Sequence, residues 1–333
     1  MRKMLVVVLV IAGLWSAYWY LGATAVERGL RAWLDERRAQ GWVSEYARVE
    51  TRGYPFRFDT EIGNLDLADP RSGLAWSAPE FRLHALAYKP NHIVAQWPEQ
   101  QVLATPLQRI EISSTNMIAS VAFKPGTSLA LDRFTADLQD FTLRSSRGWS
   151  THLSQGTLAT QSVPDRANAH DIFFETSALR PPAKLLALLD PIASLPDNFR
   201  TLKIDMTVGF DAPWDRFAIE QRRPQVTFIN IKDLQGTWGQ LDLRAAGDLA
   251  IDNAGVPTGR VELRATNWRD MLKVAVDAGV VPENVSQTLE NALELLANAS
   301  GNKKTLDVPL IFKKGRMSFG PIPLGPAPIL VIR

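Results

Sequence analysis

The residues best suited to do chemistry in this chain are few and poorly spaced for it. The four histidines are His84, His92, His152 and His170, and no two stand four apart as a helical zinc site requires. Gly148-Trp149-Ser150-Thr151-His152 brings a serine near a histidine but lacks the second glycine of a nucleophile elbow. Gly301-Asn302-Lys303-Lys304-Thr305 ends in the manner of a phosphate loop without the first glycine that such a loop needs. There is no cysteine, which removes thiol catalysis, disulfides, zinc ribbons and cysteine-bound iron–sulfur clusters. Carboxylates such as Asp205, Asp242 and Asp248 alternate with apolar residues and read as solubilising charge. The pattern predicts no catalytic residue, no metal and no cofactor: a binding or structural protein, not an enzyme.

The spacing that does carry information is apolar. Leu202, Ile204, Met206, Val208 and Phe210 alternate over nine positions with no exception on the apolar face, as in a strand greasy on one side and solvated on the other. Leu241, Leu243, Leu249 and Ile251 repeat the pattern before Asp252-Asn253-Ala254-Gly255, and Val261 and Leu263 follow it. Asp, Asn and Gly tolerate the positive φ of a tight reversal, so residues 241–265 are predicted to form a hairpin. Because alternate side chains on a strand point the same way, these eleven apolar residues are the candidate ligand-binding face.

The elements around them follow from periodicity. Alternation recurs at 56–62 and 65–67 and, more loosely, at 135–143 and 226–234, and Lys124-Pro125-Gly126 and Lys313-Lys314-Gly315 read as turns. Helical spacing is confined to the N-terminus, 182–189, 267–278 and 282–299. Asn267 stands where it can cap the third of these, with Asp270 three residues on. In the last, Val285, Leu289, Ala292, Leu293 and Leu296 share a face suited to packing on a sheet.

Residues 4–21 are uncharged and strongly apolar. As a helix they rise roughly 27 Å, close to the hydrocarbon thickness of a bilayer. Trp15, Tyr18, Trp19 and Tyr20 crowd the far end, where aromatic rings favour the headgroup layer. The alternative is a signal peptide cleaved after Ala23-Thr24-Ala25. Against cleavage, the apolar run exceeds the usual signal length, and Val26, Leu30, Trp33 and Leu34 continue the helical period outward. The expected layout is a cytoplasmic tip (1–3), a transmembrane signal-anchor (4–21), a juxtamembrane helix (22–40) and a β-rich domain (41–333). Arg2 and Lys3 favour a cytoplasmic N-terminus and Arg28, Arg31, Arg37 and Arg38 oppose it, but a large domain translocates regardless of nearby charge. The body is therefore expected in the periplasm or its equivalent.

The 333 residues are 46% hydrophobic and carry 37 basic against 35 acidic side chains, so the chain is not disordered and has no basic field for nucleic acid. No proline- or serine-rich linker divides the body. The expected fold is mainly β: one elongated, curved antiparallel sheet with a few flanking helices, after one N-terminal transmembrane helix.

Three segments carry a family resemblance: Arg52-Gly53-Tyr54-Pro55-Phe56-Arg57-Phe58-Asp59, Trp76-x-x-Pro79, and Ala85-Leu86-x-Tyr88-x-Pro90-Asn91. Together they resemble an uncharacterised family of proteobacterial membrane-anchored proteins, a domain of unknown function. A looser likeness links Gly236-x-x-x-x-Leu241-x-Leu243-x-x-x-Gly247-x-Leu249, Gly259-x-Val261-x-Leu263 and Gly315-x-x-x-x-Gly320-x-x-x-Leu324-Gly325 to AsmA-like envelope proteins. That likeness implies an inner-membrane helix carrying a long antiparallel sheet, and a tie to lipid movement or envelope homeostasis. The expected function is a single-pass protein of the bacterial inner membrane whose periplasmic body binds lipid or another hydrophobic ligand along its apolar sheet face. The alternative is a structural or interaction protein of the envelope with a closed β core and no ligand. The partners implied are the membrane, lipid or acyl chains, and other envelope proteins.

Overall fold

The computed structural model of the chain describes residues 1–299 and 303–332, so Gly301 and Asn302 of the phosphate-loop-like segment lie outside the described residues. About 50% of the chain is strand, and every pairing among the described strands is antiparallel. The chain divides into two compact units: Met1–Phe123 with Ala136–Gly148, and Lys124–Thr135 with Trp149–Arg333. The 41–333 body was expected as one domain. The chain passes between the units at 123/124, 135/136 and 148/149, and the middle passage falls inside a strand, where no linker composition can mark it.

The first unit opens with α1 (Arg2–Ala39), a single helix that joins the expected span and juxtamembrane segment without a break. Arg37 and Arg38 in its last turn suit the negative end of the helix dipole. The strands are β1 (Val43–Glu45), β2 (Arg48–Arg52), β3 (Arg57–Asp69), β4 (Leu74–Leu86), β5 (Lys89–Gln96), β6 (Gln100–Thr105), β7 (Gln108–Ser113), β8 (Asn116–Phe123) and β9 (Leu131–Ser145), whose first five residues fall to the second unit. Strand β3 pairs with β1, β2 and β4. β4 divides its length between β6 and β5, its Ala75–Ser77 stretch facing β6. Leu34 of α1 is buried with Val49, Ile62 and Leu65, so one helical face closes this part of the sheet. Burying a leucine of that kind contributes about 1.5–3 kcal/mol.

The second unit is a ladder of neighbours in chain order: β10 (Ser150–Ser162), β11 (Ala169–Leu179), β12 (Phe199–Phe210), β13 (Val226–Trp238), β14 (Leu241–Ile251), β15 (Pro257–Thr266), β16 (Thr305–Lys313), β17 (Arg316–Phe319) and β18 (Ile322–Pro326). The short α2 (Ala183–Leu189) lies between β11 and β12, α3 (Arg216–Glu220) between β12 and β13, and α4 (Trp268–Asp277) and α5 (Glu283–Ala299) between β15 and β16. The 241–265 hairpin forms with Leu241–Ile251 as one arm. In its turn Asp252 accepts from the backbone N–H groups of Ala254 and Val256, both at 2.9 Å, and Gly255 takes the positive φ of 78°.

One local expectation is corrected. Asn267 does occupy the position before α4, but in a left-handed conformation and without a side-chain cap. Its amide instead donates to the Gln240 carbonyl at 2.6 Å, tying the helix start to the β13–β14 turn.

Candidate functional site

Residues directly opposite on antiparallel strands point to the same side of the sheet, so pairing traces the candidate face across the second unit. Leu158 on β10 stands opposite Phe174, Phe174 opposite Ile204, and Ile204 opposite Leu234. Leu234 then faces Ala245, Ala245 faces Leu263, and Leu263 faces Val308. A second row runs Ile172, Met206, Ile231, Gly247, Val261, Leu310. A third joins Val208 through Ile229 to Leu249 and, past Gly259, to Phe312. A fourth joins Leu202 through Gly236 to Leu243, Ala265 and Leu306. Leu241 and Ile251 stand on β14 in step with these rows, and Phe210 pairs with Val226. All eleven residues singled out from the sequence thus lie on one side of one sheet.

Sequence reasoning missed much of that side. Strand β16 alternates Leu306, Val308, Leu310 and Phe312, but Pro309 in its middle argues against a central strand. Strand β11 alternates His170, Ile172, Phe174 and Thr176, a signal weakened by its polar ends. In β13 a register shift between Ile231 and Leu234 sets two residues, Lys232 and Asp233, against the single Ala246, so the apolar residues lose their strict period of two while keeping their side.

Covering differs along the face. At one end Trp268 of α4 and Leu293 and Ala297 of α5 pack on Leu306 and Val308, with Ala265 beside them. Along β14–β16, Leu249, Ile251, Val261 and Phe312 form a buried cluster under Ala327 and Leu330 of the chain after β18. That segment is held by Leu330 N–H to the Gly255 carbonyl at 2.8 Å. Gln225 and the Ile332 backbone add a reciprocal pair of hydrogen bonds, both 3.0 Å. Val208 and Leu241 are also buried. By contrast Leu202, Ile204, Met206, Phe210 and Leu263 are half-buried, while Leu243 is 38% exposed and Leu158 42% exposed.

Phe210 ends its row against Trp214, ring centroids 5.5 Å apart and edge to face, and against His170 at 6.2 Å. His170 is 5% exposed and its Nδ1 has no hydrogen-bond partner. Burial, helped by the Lys124 charge, pushes this imidazole below its usual value and so favours its neutral form. His170 and Trp214 line a cavity of about 100 Å³ that also takes in Lys124 and Arg166.

The opposite side of the sheet is charged and paired. Lys203 meets Asp233 at 2.8 Å, Lys232 meets Asp171 at 2.7 Å, and Arg264 meets Asp307 at 2.7 Å. Partial burial works to raise the Asp171 carboxyl, but hydrogen bonds from Lys232 and Thr207 outweigh it and leave the group below the usual range. Asp242 is more than the solubilising charge expected of it. It accepts from Gln235 and Thr237, both at 3.1 Å, and from Arg244 at 3.0 Å. Those bonds overcome its desolvation and hold its carboxyl low.

Among the described residues no group of three or more His, Asp or Glu could hold a metal ion. In the first unit a cavity of about 710 Å³ is lined by polar and charged residues including Asn64, Asp66, Gln100, Arg109, Glu111 and Arg144. None of the eleven candidate residues borders it. The two turn segments of the family resemblance meet in the same unit, where Ala87 N–H donates to the Phe56 carbonyl at 2.8 Å.

No characterised relative and no solved structure matches the chain. A family model does, over residues 19–328, which takes in nearly all of both units. The chain belongs to that family, described as an uncharacterized protein conserved in bacteria (DUF2125).

Proposed function

We propose that this protein is anchored in the bacterial inner membrane by α1 and that the apolar face of its second unit binds lipid or another hydrophobic ligand from the periplasm. The reading is of a binding protein, with no catalytic step. One observation carries it: an apolar strip runs from Leu158 of β10 to β16, and among the described residues its buried clusters centre on β14–β16 under α4, α5 and the C-terminal segment, whereas Leu158, Phe174, Ile204 and Met206 stay half-buried or exposed. A sheet face must bury against something. Leu158, Ile172, Phe174, Ile204, Met206 and Leu243 remain reachable, with Thr160 and Ser162 beside them at the β10 edge, and acyl chains are the occupant matched to the apolar strip. Each methylene buried there contributes about 0.8 kcal/mol.

The buried cluster at Leu249, Ile251, Val261 and Phe312 favours a second reading for that portion alone, a closed structural core. Photo-crosslinking the full-length protein in bacterial membranes separates the two. A photoreactive residue at Met206 or Leu158 is expected to yield lipid adducts by mass spectrometry, and one at Asp205 on the charged side to yield none. No adduct at either apolar position, or equal adducts at Asp205, overturns the binding reading.

A further inference from the structure

The first unit carries a second apolar surface, separate from the sheet face above, at the point where α1 leaves it. Residues of α1 from Met4 to Ile11 are each at least 55% exposed, so the helix projects clear of the body there. From Trp15 onward it is docked. The Trp15 indole donates to the Pro55 carbonyl at 2.9 Å, the Tyr18 hydroxyl to the Ala87 carbonyl at 2.6 Å, and the Trp19 indole to the Arg57 carbonyl at 2.8 Å. Ser16 meets the Tyr54 hydroxyl at 2.8 Å. The β2–β3 and β4–β5 turns therefore lie level with helix positions 15–19.

The free part of α1, residues 1–14, rises only about 20 Å, whereas the hydrocarbon core is about 30 Å thick. A span needs the next six or seven residues as well, and those are the ones flanked by the turns. The turns are built for that depth. Tyr54, Phe56 and Tyr88 point outward, 58%, 59% and 64% exposed, and positions 53–56 and 86–88 contain no charge. Their carbonyls at Pro55, Phe56, Arg57 and Ala87 all accept hydrogen bonds within the unit, which a backbone in a water-poor layer requires. Charge resumes at once on either side, with Arg52, Arg57 and Lys89 at headgroup level.

We propose that these two turns dip into the boundary of the bilayer that α1 crosses, so that the first unit rests on the lipid surface through Tyr54, Phe56 and Tyr88. The inference rests on α1 being a retained membrane span, and the test distinguishes failure of the two. The absence of native cysteine makes single-cysteine labelling unambiguous. Full-length protein carrying Leu9→Cys, Phe56→Cys, Tyr88→Cys or Arg71→Cys is labelled with a polarity-sensitive fluorophore. It is then reconstituted in phosphatidylethanolamine–phosphatidylglycerol vesicles with or without lipid-borne quencher. Arg71, on the β3–β4 turn at the far end of the same strands, is the aqueous reference. Emission from Leu9, Phe56 and Tyr88 is expected to fall about twofold or more with quencher, and that from Arg71 to stay unchanged. A quenched Leu9 label with unquenched Phe56 and Tyr88 labels overturns the inference and leaves the anchor standing. An unquenched Leu9 label overturns both. Phe56→Glu and Tyr88→Glu supply a second reading: each should abolish quenching of a label at the other turn.

Discussion

Within the second unit, β12 with the middle of β11 and β14–β16 present the same apolar alternation on the same side of the same sheet, yet they end in different environments. Val261 and Leu249 lie under the segment that contains Ala327 and Leu330, and Val308 lies under α5. Met206, Ile204 and Phe174 carry equivalent side chains that remain half-buried. Period two therefore reports which side of a strand is apolar and nothing about what covers it. Covering is decided by segments distant in sequence, here residues 268–299 and 327–332.

The comparison is sharpest where a charge is forced onto each region. Val261→Asp strands a carboxylate in a dry cluster and is expected to cost on the order of 3–5 kcal/mol by denaturant unfolding. Met206→Glu leaves the new carboxylate within reach of water and is expected to cost about 1 kcal/mol while reducing lipid adducts at Leu158. Equal losses of stability at both sites would erase the distinction between the regions.

Backbone geometry gives the next largest effect. Gly259 sits opposite Leu249 with φ of 150°, and a Cβ there would approach the Asp248 carbonyl oxygen to 2.1 Å. Gly259→Val is expected to cost about 2–3 kcal/mol, because backbone has to move. A neutral result would mean that the covered region is loosely held after all.

On the charged side, Asp242→Asn weakens three hydrogen bonds and should cost about 1 kcal/mol. Glu262→Gln, whose partner Arg260 is likewise exposed, should change unfolding by less than about 0.5 kcal/mol. Both should leave lipid adducts at Met206 unchanged, since neither side chain belongs to the apolar side.

The smallest effect concerns pH. His170 titrates lower in the fold than its unfolded value near 6.5. Its neutral form therefore contributes stability that is complete above about pH 6.5 and is lost as pH falls towards the depressed folded value. The lowered carboxyls of Asp171, Asp190 and Asp242 act further down, their stability present above about pH 3.9 and lost below it. Melting temperature should therefore fall between pH 7 and 5.5, and His170→Phe should flatten that fall. An unchanged slope would remove His170 as its cause.

Legibility from sequence varied with how local the cause was. Leu202 to Phe210 and the 241–265 hairpin were readable because alternation and an Asp-Asn-x-Gly turn act over a few residues. Strand β13 was blurred by one bulge at Lys232 and Asp233, and β16 by one proline. The unit boundary at 135/136 was invisible because it cuts β9 in mid-strand. The docking of α1 was equally hidden, since an indole at position 15 reaching a carbonyl at position 55 has no signature in either stretch alone. Asp242 looked like surface charge for the same reason: its partners, Gln235 and Thr237, belong to the neighbouring strand.

From β10 to β18 each strand pairs with the next one in the chain, and this order bears on how the unit is made. Contacts between sequence neighbours close short loops, which keeps the barrier to each addition low. A newly emerging strand finds its partner already in place, so the ladder can lengthen one strand at a time without waiting for the whole chain. The two longest pauses fall at residues 180–198 and 267–304, where helix-bearing insertions separate consecutive strands. During the second pause β15 is a free edge beside an uncovered apolar strip, and this is the interval in which an incomplete chain is most exposed to aggregation or to capture by a chaperone.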